Sequence, residues 1–198
     1  QYKVGIWLAP GMNIQRHPLC GRNFEYYSED PILTAEMASA LTLGVQSNKH
    51  CAVTIKHFCC NNQEDNRMKS SSEVNERALR EIYLKAFKLT VRKAQPKCVM
   101  SSYNKVNGTY VNSSYDLITN ILRCEFGFDG VVMTDWQSVA KDQAVAGETI
   151  CAENDLIMAG DQYQHKELLN AVQSGKVSKT TLQRCASRIL NLCKNLNA

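Results

Sequence analysis

Asp135 and Trp136 stand together at the end of a short apolar run that begins after Gly130. A carboxylate fixed at a strand end beside a flat apolar ring is suited to attack the anomeric carbon of a sugar whose face stacks on the indole. Plainer interpretations stay open for both residues. Aspartate is a favoured N-cap of a following helix, and a single tryptophan is more often part of a core or rim.

Lys56 and His57 end a second apolar run. Adjacent side chains on a strand point to opposite faces, but at a frayed strand end both can reach one pocket. Two donors at such a place suit neutral hydroxyl groups. Taken singly, the histidine reads equally as a buried core residue and the lysine as a surface charge. No second histidine or cysteine lies at ligand spacing, so neither a metal nor another cofactor is expected.

The segment 16–31 is a long loop rich in charged and aromatic residues. Long ordered loops in compact domains are usually functional or act as lids. Arg22 can offer its planar fork of donors to neighbouring hydroxyl groups of a ligand. It can also form a structural ion pair with Glu25, Glu29 or Asp30, and the two roles are compatible.

The elements that position these residues are predicted from apolar runs and from apolar residues at helical spacing. The predicted strands are 3–10, 51–58, 97–103, 130–134 and 155–158. The predicted helices begin behind Thr34 and Asn75, cover Leu117 to Leu122, and end the chain near 165–173 and 178–195, the last capped by Ser178. The first helix is expected to bury Met37, Leu41, Gly44 and Val45. Apolar strands alternating with helices indicate an α/β fold with a parallel sheet covered on both faces.

Two architectures compete for this pattern, a doubly wound sheet and a (β/α) barrel. The Gly-rich turn of a dinucleotide-binding sheet is absent after the first strand. Polar residues instead follow strand after strand, where barrel enzymes build their sites. They are Asn13, Arg16, Lys56, His57, Tyr103, Asn104, Asp135, Trp136 and Asp161. We therefore predict a partial (β/α)8 TIM-type barrel of about the last five βα units, with residues 1–198 forming one incomplete domain and three strands missing upstream.

Composition limits the possible partners. The chain has 198 residues, 44% of them hydrophobic, and a net charge of +4 that is spread along the sequence. Because the positive charge is not concentrated in one segment, the sequence does not predict binding to nucleic acid or to an anionic membrane. Nine cysteines without paired motif spacing are expected to be mainly small buried hydrophobes in a reducing compartment, which favours the cytoplasm. Two glycosylation sequons, at Asn107 and Asn112, point weakly towards secretion.

Five ordered motifs carry a resemblance to a known family. They read NIQRHPLCGRNFEYYSEDP, IKHFCCNNQEDNR, ERALREIYLKAF, VMSSYNKVNGTY and ILRCEFGFDGVVMTDW. Together they resemble glycoside hydrolase family 3, the β-glucosidase and β-xylosidase group. The resemblance implies a barrel domain, retaining hydrolysis and a role for Asp135 as the nucleophile that forms a glycosyl-enzyme intermediate. The residues that it implies bind the sugar are Arg22, Lys56, His57 and Tyr103, with Trp136 lining the entrance.

Two departures from the family pattern affect the expected activity. An upstream SDGP-like strand that grips the sugar is absent, and so is the α/β sandwich domain that normally supplies the acid/base glutamate. The spacing of Glu64, Glu148 and Glu153 nominates none of them as the acid. We therefore expect a weak or inactive fragment whose partners are an oligosaccharide or β-glycoside substrate and the missing C-terminal domain. The reading KHFCCNNQE disfavours the branch acting on N-acetylglucosaminides.

Two other functions remain open from the sequence. Lys56 at a barrel strand end is compatible with a Schiff-base lysine of an aldolase or lyase, activated by burial. The chain is also compatible with a sugar-binding remnant that keeps its polar donors and Trp136 without turnover.

Overall fold

The computed structural model describes residues 4–197, so Lys3 of the first predicted strand lies outside the described part. In chain order the elements are β1 (Ile6–Trp7), α1 (Pro31–Gln46), β2 (Ala52–Phe58), β3 (Ser71–Ser72), α2 (Glu76–Ala78), a π-helical segment (Leu79–Tyr83), α3 (Lys85–Ala94), β4 (Cys98–Ser101), β5 (Lys105–Val106), β6 (Thr109–Tyr110), a 3-10 turn (Val111–Ser113), a second π-helical segment (Asp116–Glu125), β7 (Val131–Thr134), α4 (Ala146–Cys151), α5 (Gln162–Gln173) and α6 (Lys179–Asn197).

The main sheet has the strand order β1-β2-β4-β7, and every pair in it is parallel. Each of these strands is joined to the next by a segment that contains a helix. The order runs in one direction without reversal, whereas a doubly wound sheet reverses at a switch point. The chain is therefore α/β and forms part of a (β/α)8 barrel. A smaller sheet, β3-β5-β6, lies beside it and includes the hairpin that turns at Asn107 and Gly108.

The fifth predicted strand is reduced to a single bridging residue. Leu156 pairs in parallel with Met133, and no strand is assigned at 155–158 within the described part of the chain. Side chains take over hydrogen bonds that a strand ladder would make: Asp155 Oδ2 accepts from Val132 N at 2.8 Å, and Thr134 Oγ1 accepts from Met158 N at 2.9 Å. The segment follows the sheet edge without completing a ladder.

Helices cover both faces of the main sheet, as the apolar strands predict. Alternate strand residues point to opposite faces. Val53, Ile55 and Val99 face the core that contains Ala35 and Phe87 of α1 and α3. The residues facing the other way are Ala52, Cys98, Met100, Val131 and Met133, which pack against Ile189, Leu192 and Leu196 of α6. The C-terminal helix therefore covers the sheet face opposite α1 and α3.

Helix α1 begins earlier than predicted, and its buried face only partly matches the expected one: Leu41 and Val45 are half-buried, and Val45 packs against the core. Asp30 is its N-cap and accepts a hydrogen bond from Ile32 N at 2.7 Å, whereas Thr34 lies inside the helix and is buried. Met37 is 49% exposed and Gly44 is also exposed. The buried face consists of small residues, Thr34, Ala35, Ala38, Ser39 and Thr42. Small side chains allow α1 and α3 to approach closely, which a pattern of large apolar residues does not indicate.

Most of the remaining helices agree better with the predictions made from the sequence. Asn75 caps α2 through Ala78 N, and Ser178 accepts from Thr181 N at the start of α6. The π-helical segment between α2 and α3 changes the helical register, so Leu84 is buried while Ile82 is partly exposed. Helix α4 was not predicted. No helix in the described residues is long and apolar enough to span a membrane.

No disulfide bond joins any of the nine cysteines, all of which lie in the described part of the chain. Five of them are buried, namely Cys20, Cys59, Cys60, Cys98 and Cys185. The expectation of small buried hydrophobes is therefore confirmed for these five and is wrong for the exposed Cys124 and Cys193.

Candidate active site

Asp135 is the first residue after β7 and lies at the carboxyl end of the sheet. Its backbone N–H donates to Ser101 O of β4 at 3.1 Å. The residue is 9% exposed, and Oδ1 accepts a hydrogen bond from Trp136 N at 2.7 Å. The next helix, α4, begins only at Ala146, so Asp135 does not cap it.

A local irregularity at the end of β2 presents Lys56 and His57 beside this carboxylate. The pairing register of β2 and β4 shifts between Lys56 and Phe58, and such bulges redirect side chains. Asn13 fixes the backbone here, because its side chain accepts from His57 N at 2.8 Å and donates to His57 O at 2.9 Å. The predicted meeting of two adjacent side chains at a strand end thus has a specific structural cause.

His57 lies between Asp135 and Tyr26. Its Nε2 is 3.6 Å from Asp135 Oδ2, and its Nδ1 is 3.4 Å from the Tyr26 hydroxyl. Burial, together with the positive charges of Arg22, Lys56 and Arg67, lowers the pKa of His57 well below its usual value. The imidazole is therefore neutral at pH 7, and its contact with Asp135 is a neutral donor facing a carboxylate rather than an ion pair.

The Asp135 carboxyl group is subject to opposing influences. Burial raises its pKa, while the hydrogen bond from Trp136 N and the positive charges of Arg22, Arg67 and Lys56 work against this increase. Within the described part of the chain, Oδ2 is buried without a hydrogen-bond partner. Oδ1 therefore accepts a hydrogen bond and Oδ2 does not, which is the arrangement expected of a carboxylate that attacks an electrophile.

Lys56 is half-buried next to the same carboxylate. Burial lowers its pKa, the negative charges of Glu25 and Asp135 raise it, and Arg22 lowers it further. An ammonium group in this setting can donate hydrogen bonds to a neutral ligand while it helps to keep Asp135 ionised.

The long loop before α1 brings Arg22 to the site. Arg22 forms an ion pair with Glu25, so the structural pairing predicted for it is present. The loop packs closely against the chain after β1: a Cβ atom added to Gly11 would lie 2.7 Å from Glu25 Oε2 and 3.1 Å from the Tyr26 ring. A side chain larger than hydrogen at position 11 would push the loop away from the strand ends.

Arg67 belongs to this site and was missed by the sequence interpretation. Its guanidinium lies 4.4 Å from the centre of the Tyr103 ring, and it pairs with Glu64 at 2.6 Å. Its charge also lowers the pKa of Asp135. Arg67 is within the quoted motif IKHFCCNNQEDNR, but it lies in a loop, and strand-end reasoning does not apply to loops.

Tyr103 and Trp136 are linked beside Asp135. The Tyr103 hydroxyl donates to Trp136 O at 2.6 Å. Burial and then the negative charge of Asp135 raise the pKa of Tyr103 to about 12, so the phenol is protonated at pH 7. The Trp136 side chain remains available for stacking, because the residue is 56% exposed.

Several polar residues at predicted strand ends have structural roles instead. Asn13 clamps the His57 backbone, and Asn104 donates to Cys59 O and Lys105 O. Arg16 donates to the Tyr83 hydroxyl on the surface. Asp161 caps α5 in a capping box. Position at the end of a strand therefore does not distinguish such residues from those that face Asp135.

The other glutamates named as possible acids have different surroundings. Glu64 pairs with Arg67, and Glu153 lies in a buried cluster with Arg123, Arg184 and Arg188. Glu148 lies on α4. Among the residues described, no group of three or more histidine, cysteine, aspartate or glutamate side chains is arranged to hold a metal ion.

Comparison with known proteins places this arrangement in a family. Residues 2–192 match the model described as the glycosyl hydrolase family 3 N terminal domain. The chain belongs to this family. A β-glucosidase of Ruminococcus albus is 46% identical over 99% of the chain, and an exo-α-(1->6)-L-arabinopyranosidase of Bifidobacterium breve is 41% identical over all of it.

A family member of known structure agrees closely with the fold. The structure of β-glucosidase 3B from Thermotoga neapolitana in complex with glucose has a TM-score of 0.91 and 49% identity over 97% of the chain. The chain covers 27% of that structure, 21% of the Ruminococcus albus protein and 25% of the Bifidobacterium breve protein. The family 3 chain described here thus spans about a quarter of the length of these relatives.

Proposed function

We propose that this chain forms part of a retaining β-glycosidase that releases terminal β-linked glucosyl or xylosyl residues. In the first step, Asp135 Oδ2 attacks the anomeric carbon, the bond to the leaving oxygen breaks, and that oxygen takes a proton from an acid. Water then hydrolyses the aspartyl ester, and two inversions give retention. The observation that carries the proposal is the buried Oδ2 atom of Asp135, which has no hydrogen-bond partner among the described residues and whose carboxylate is influenced by the charges of Arg22, Arg67 and Lys56.

The neighbouring side chains suit a sugar in this position. Lys56 and Arg22 supply charged donors to hydroxyl groups, and neutral His57 supplies a weaker one. The Tyr103 hydroxyl already donates to Trp136 O, so its oxygen can only accept a hydrogen bond from a sugar hydroxyl group. We assign Trp136 to the entrance, where its exposed indole can stack on the apolar face of a sugar ring. Hydrogen bonds to hydroxyl groups strengthen as the ring approaches an oxocarbenium ion, so binding contributes to rate.

The printed names of the relatives support a glycoside as substrate. Most of the relatives considered are named β-glucosidases, and two are named exo-α-(1->6)-L-arabinopyranosidases. A terminal pyranoside is common to these names. We take a β-glucoside as the first substrate to test and a β-xyloside as the second.

The proton donor of the proposed reaction must come from outside the residues around Asp135. Glu25 is paired with Arg22 and Glu64 with Arg67, so both carboxyl groups are already engaged by arginines within the site. We propose that the chain is an incomplete catalytic barrel and that a further α/β sandwich domain of the family polypeptide supplies the acid. The 198-residue chain alone is then a weak catalyst.

The Schiff-base alternative has one observation in its favour. Burial lowers the pKa of Lys56, as an amine nucleophile requires. Family membership favours glycoside hydrolysis instead. Borohydride reduction in the presence of a carbonyl substrate separates the two, because only a Schiff-base enzyme would gain a stable lysine adduct.

The proposal is tested by covalent trapping. A fluorinated β-glucoside with a dinitrophenolate leaving group needs no acid for the first step, so the 198-residue chain should gain the mass of one fluoroglucosyl group. Asp135→Asn should abolish the gain. Asp161→Asn is the matched control, because Asp161 is a helix cap and asparagine also caps well. Labelling that persists in Asp135→Asn would refute Asp135 as the nucleophile.

A second arm of the experiment tests whether the acid/base residue is outside the chain. With dinitrophenyl β-glucoside, breakdown of the aspartyl ester should be slow, and azide should accelerate it by attacking the anomeric carbon to give the β-glucosyl azide. Hydrolysis of nitrophenyl β-glucoside at a rate typical of enzymes, abolished by Asp135→Asn, would place the acid within the chain and overturn the assignment.

A further inference from the structure

A chain of buried polar side chains lies directly behind Asp135. Its members are Asn154, Ser101, Asn112 and Ser138, and each has no measurable exposed surface. Burial of four polar side chains is costly unless they bond to one another. None of the four was a candidate site residue in the sequence, and Asn112 was noted only as a glycosylation sequon, which its burial makes inaccessible.

The hydrogen bonds of this chain all run in one direction. Asn154 Nδ2 donates to Ser101 Oγ at 2.8 Å, and Ser101 Oγ donates to Asn112 Oδ1 at 2.5 Å. Asn112 Nδ2 donates to Ser138 Oγ at 2.9 Å, and Ser138 Oγ donates to Asp135 O at 2.8 Å. Bonds that are aligned in this way polarise and strengthen one another in a buried setting.

Ser138, the last member of this series of hydrogen-bonded side chains, holds the turn that carries Asp135. Ser138 N also donates to Asp135 O, at 3.3 Å, so Ser138 closes the turn through both its backbone and its hydroxyl group. On the other side, Asp135 N is held by the carbonyl of Ser101. The two serines therefore fix the backbone before and after the carboxylate, and Asn112 connects them.

We propose that Ser138 and Asn112 are positioning residues that fix the direction of the Asp135 carboxylate through this hydrogen-bonded chain. The proposal rests on the function proposed above for Asp135. Neither residue touches the reacting atoms. Their role is to keep Oδ1 on Trp136 N and Oδ2 facing the pocket, which a free loop after a strand would not do.

Ser138→Ala is the main test, and Thr119→Val is its matched control. Each variant removes one buried hydroxyl group that donates to a backbone carbonyl, Ser138 to Asp135 O at 2.8 Å and Thr119 to Ala152 O at 2.9 Å. Ser138 Oγ also accepts from Asn112 Nδ2, so Ser138→Ala should lose at least as much stability as Thr119→Val. Both variants are therefore compared under conditions where urea unfolding shows them to be fully folded, so that any difference reports on position. Asn112→Ala is the second variant, and Ser138→Thr, which keeps the hydroxyl group, should restore the behaviour of the parent chain.

Two readouts separate this proposal from the proposed function. In amide hydrogen exchange, Ser138→Ala should accelerate exchange at Trp136 and position 138 by about tenfold relative to Thr119→Val. In covalent trapping, the first-order labelling constant should fall by about tenfold, with the concentration for half-maximal rate unchanged. Unchanged exchange would overturn the proposal, and so would faster exchange with an unchanged labelling constant.

Failure of the proposed function has a different signature. If the parent chain is not labelled at Asp135 while exchange at Trp136 still depends on Ser138, the nucleophile assignment is wrong. That result also refutes a catalytic role for these hydrogen bonds. They would then contribute only to the structure of the turn.

Discussion

The two oxygens of Asp135 have different surroundings. Oδ1 accepts a backbone hydrogen bond from Trp136, whereas Oδ2 faces the neutral His57 at 3.6 Å without accepting one within the described part of the chain. Burial raises the pKa of Asp135, and the hydrogen bond from Trp136 N and the charges of Arg22, Arg67 and Lys56 limit this rise. A nucleophile is stronger when its attacking atom is not stabilised by hydrogen bonds, so this asymmetry is chemically useful.

His57 predicts a specific pH dependence of stability. Its pKa in the folded chain is below the unfolded value of about 6.5, so the unfolded chain binds more protons as pH falls below 6.5. Stability contributed by neutral His57 is therefore present above that pH and is lost as pH falls, by at most about 1.4 kcal/mol per pH unit.

Urea unfolding from pH 7 to pH 5 should detect this effect. The parent chain should lose more unfolding free energy than His57→Gln over this range, by about 1 kcal/mol, because glutamine does not titrate. Parallel curves for the two proteins would show that the folded-state pKa of His57 is ordinary.

The sequence places only part of the candidate site. Asp135 and Tyr103 follow parallel strands and Lys56 and His57 lie near the end of one, so the strand pattern is enough to predict that they share one rim. Arg67 is brought to Tyr103 by loop contacts with Glu64, which no local pattern encodes. The hydrogen-bonded chain behind Asp135 is hidden for the same reason, since its members come from four separate segments.

At the level of elements, the close fit between the loop before α1 and the strand ends depends on Gly11. Gly11→Ala would place a Cβ atom 2.7 Å from Glu25 Oε2 and displace the partner of Arg22. We expect a loss of about 1–3 kcal/mol in unfolding free energy, as for other overpacked sites, and a slower trapping reaction.

Gly44→Ala is the matched control for this prediction. Gly44 lies in α1, and nothing lies within 4 Å of a Cβ atom added there. Alanine is the better helix former, so the variant should gain about 0.5–1 kcal/mol without a change in trapping rate. Urea unfolding measures both variants, and equal effects of the two would contradict the close packing described at Gly11.

The elements themselves differ in how well the sequence predicts them. Apolar runs predict β2 and β7, and the spacing of Leu117, Ile118 and Ile121 predicts the second π-helical segment. These predictions succeed because the buried faces consist of large apolar residues. The face of α1 was predicted only in part, because Val45 packs against the core but the interface with α3 selects small residues. The strand at 155–158 was predicted from apolar content, but side chains of Asp155 and Thr134 replace part of its ladder.

On the scale of the whole molecule, a buried ionic cluster ties α6 to the sheet. Asp155 accepts from Arg123 at 2.6 Å and from Arg188 at 2.9 Å, and Arg188 also pairs with Glu153 at 2.5 Å. Asp155 additionally accepts from Val132 N in β7. The cluster joins the second π-helical segment, the sheet and the C-terminal helix.

Asp155→Asn should therefore destabilise the whole chain. Removal of the Asp155 charge takes away the 2.6 Å counter-charge of Arg123 and leaves Glu153 to balance both Arg123 and Arg188, and we expect a loss of about 3 kcal/mol. Glu76→Gln removes an exposed pair with Arg80 and should change stability by at most about 0.5 kcal/mol. Urea denaturation of both variants checks the contrast, and a loss for Asp155→Asn as small as the control's would show that the cluster contributes little.

The central claim is that Asp135 Oδ2 is the attacking atom of a family 3 glycosidase. The most direct measurement is a crystal structure of the chain after trapping with the fluorinated β-glucoside. The claim predicts continuous electron density from Asp135 Oδ2 to the anomeric carbon, with the sugar in contact with Lys56 and His57. A covalent bond from any other residue would contradict it.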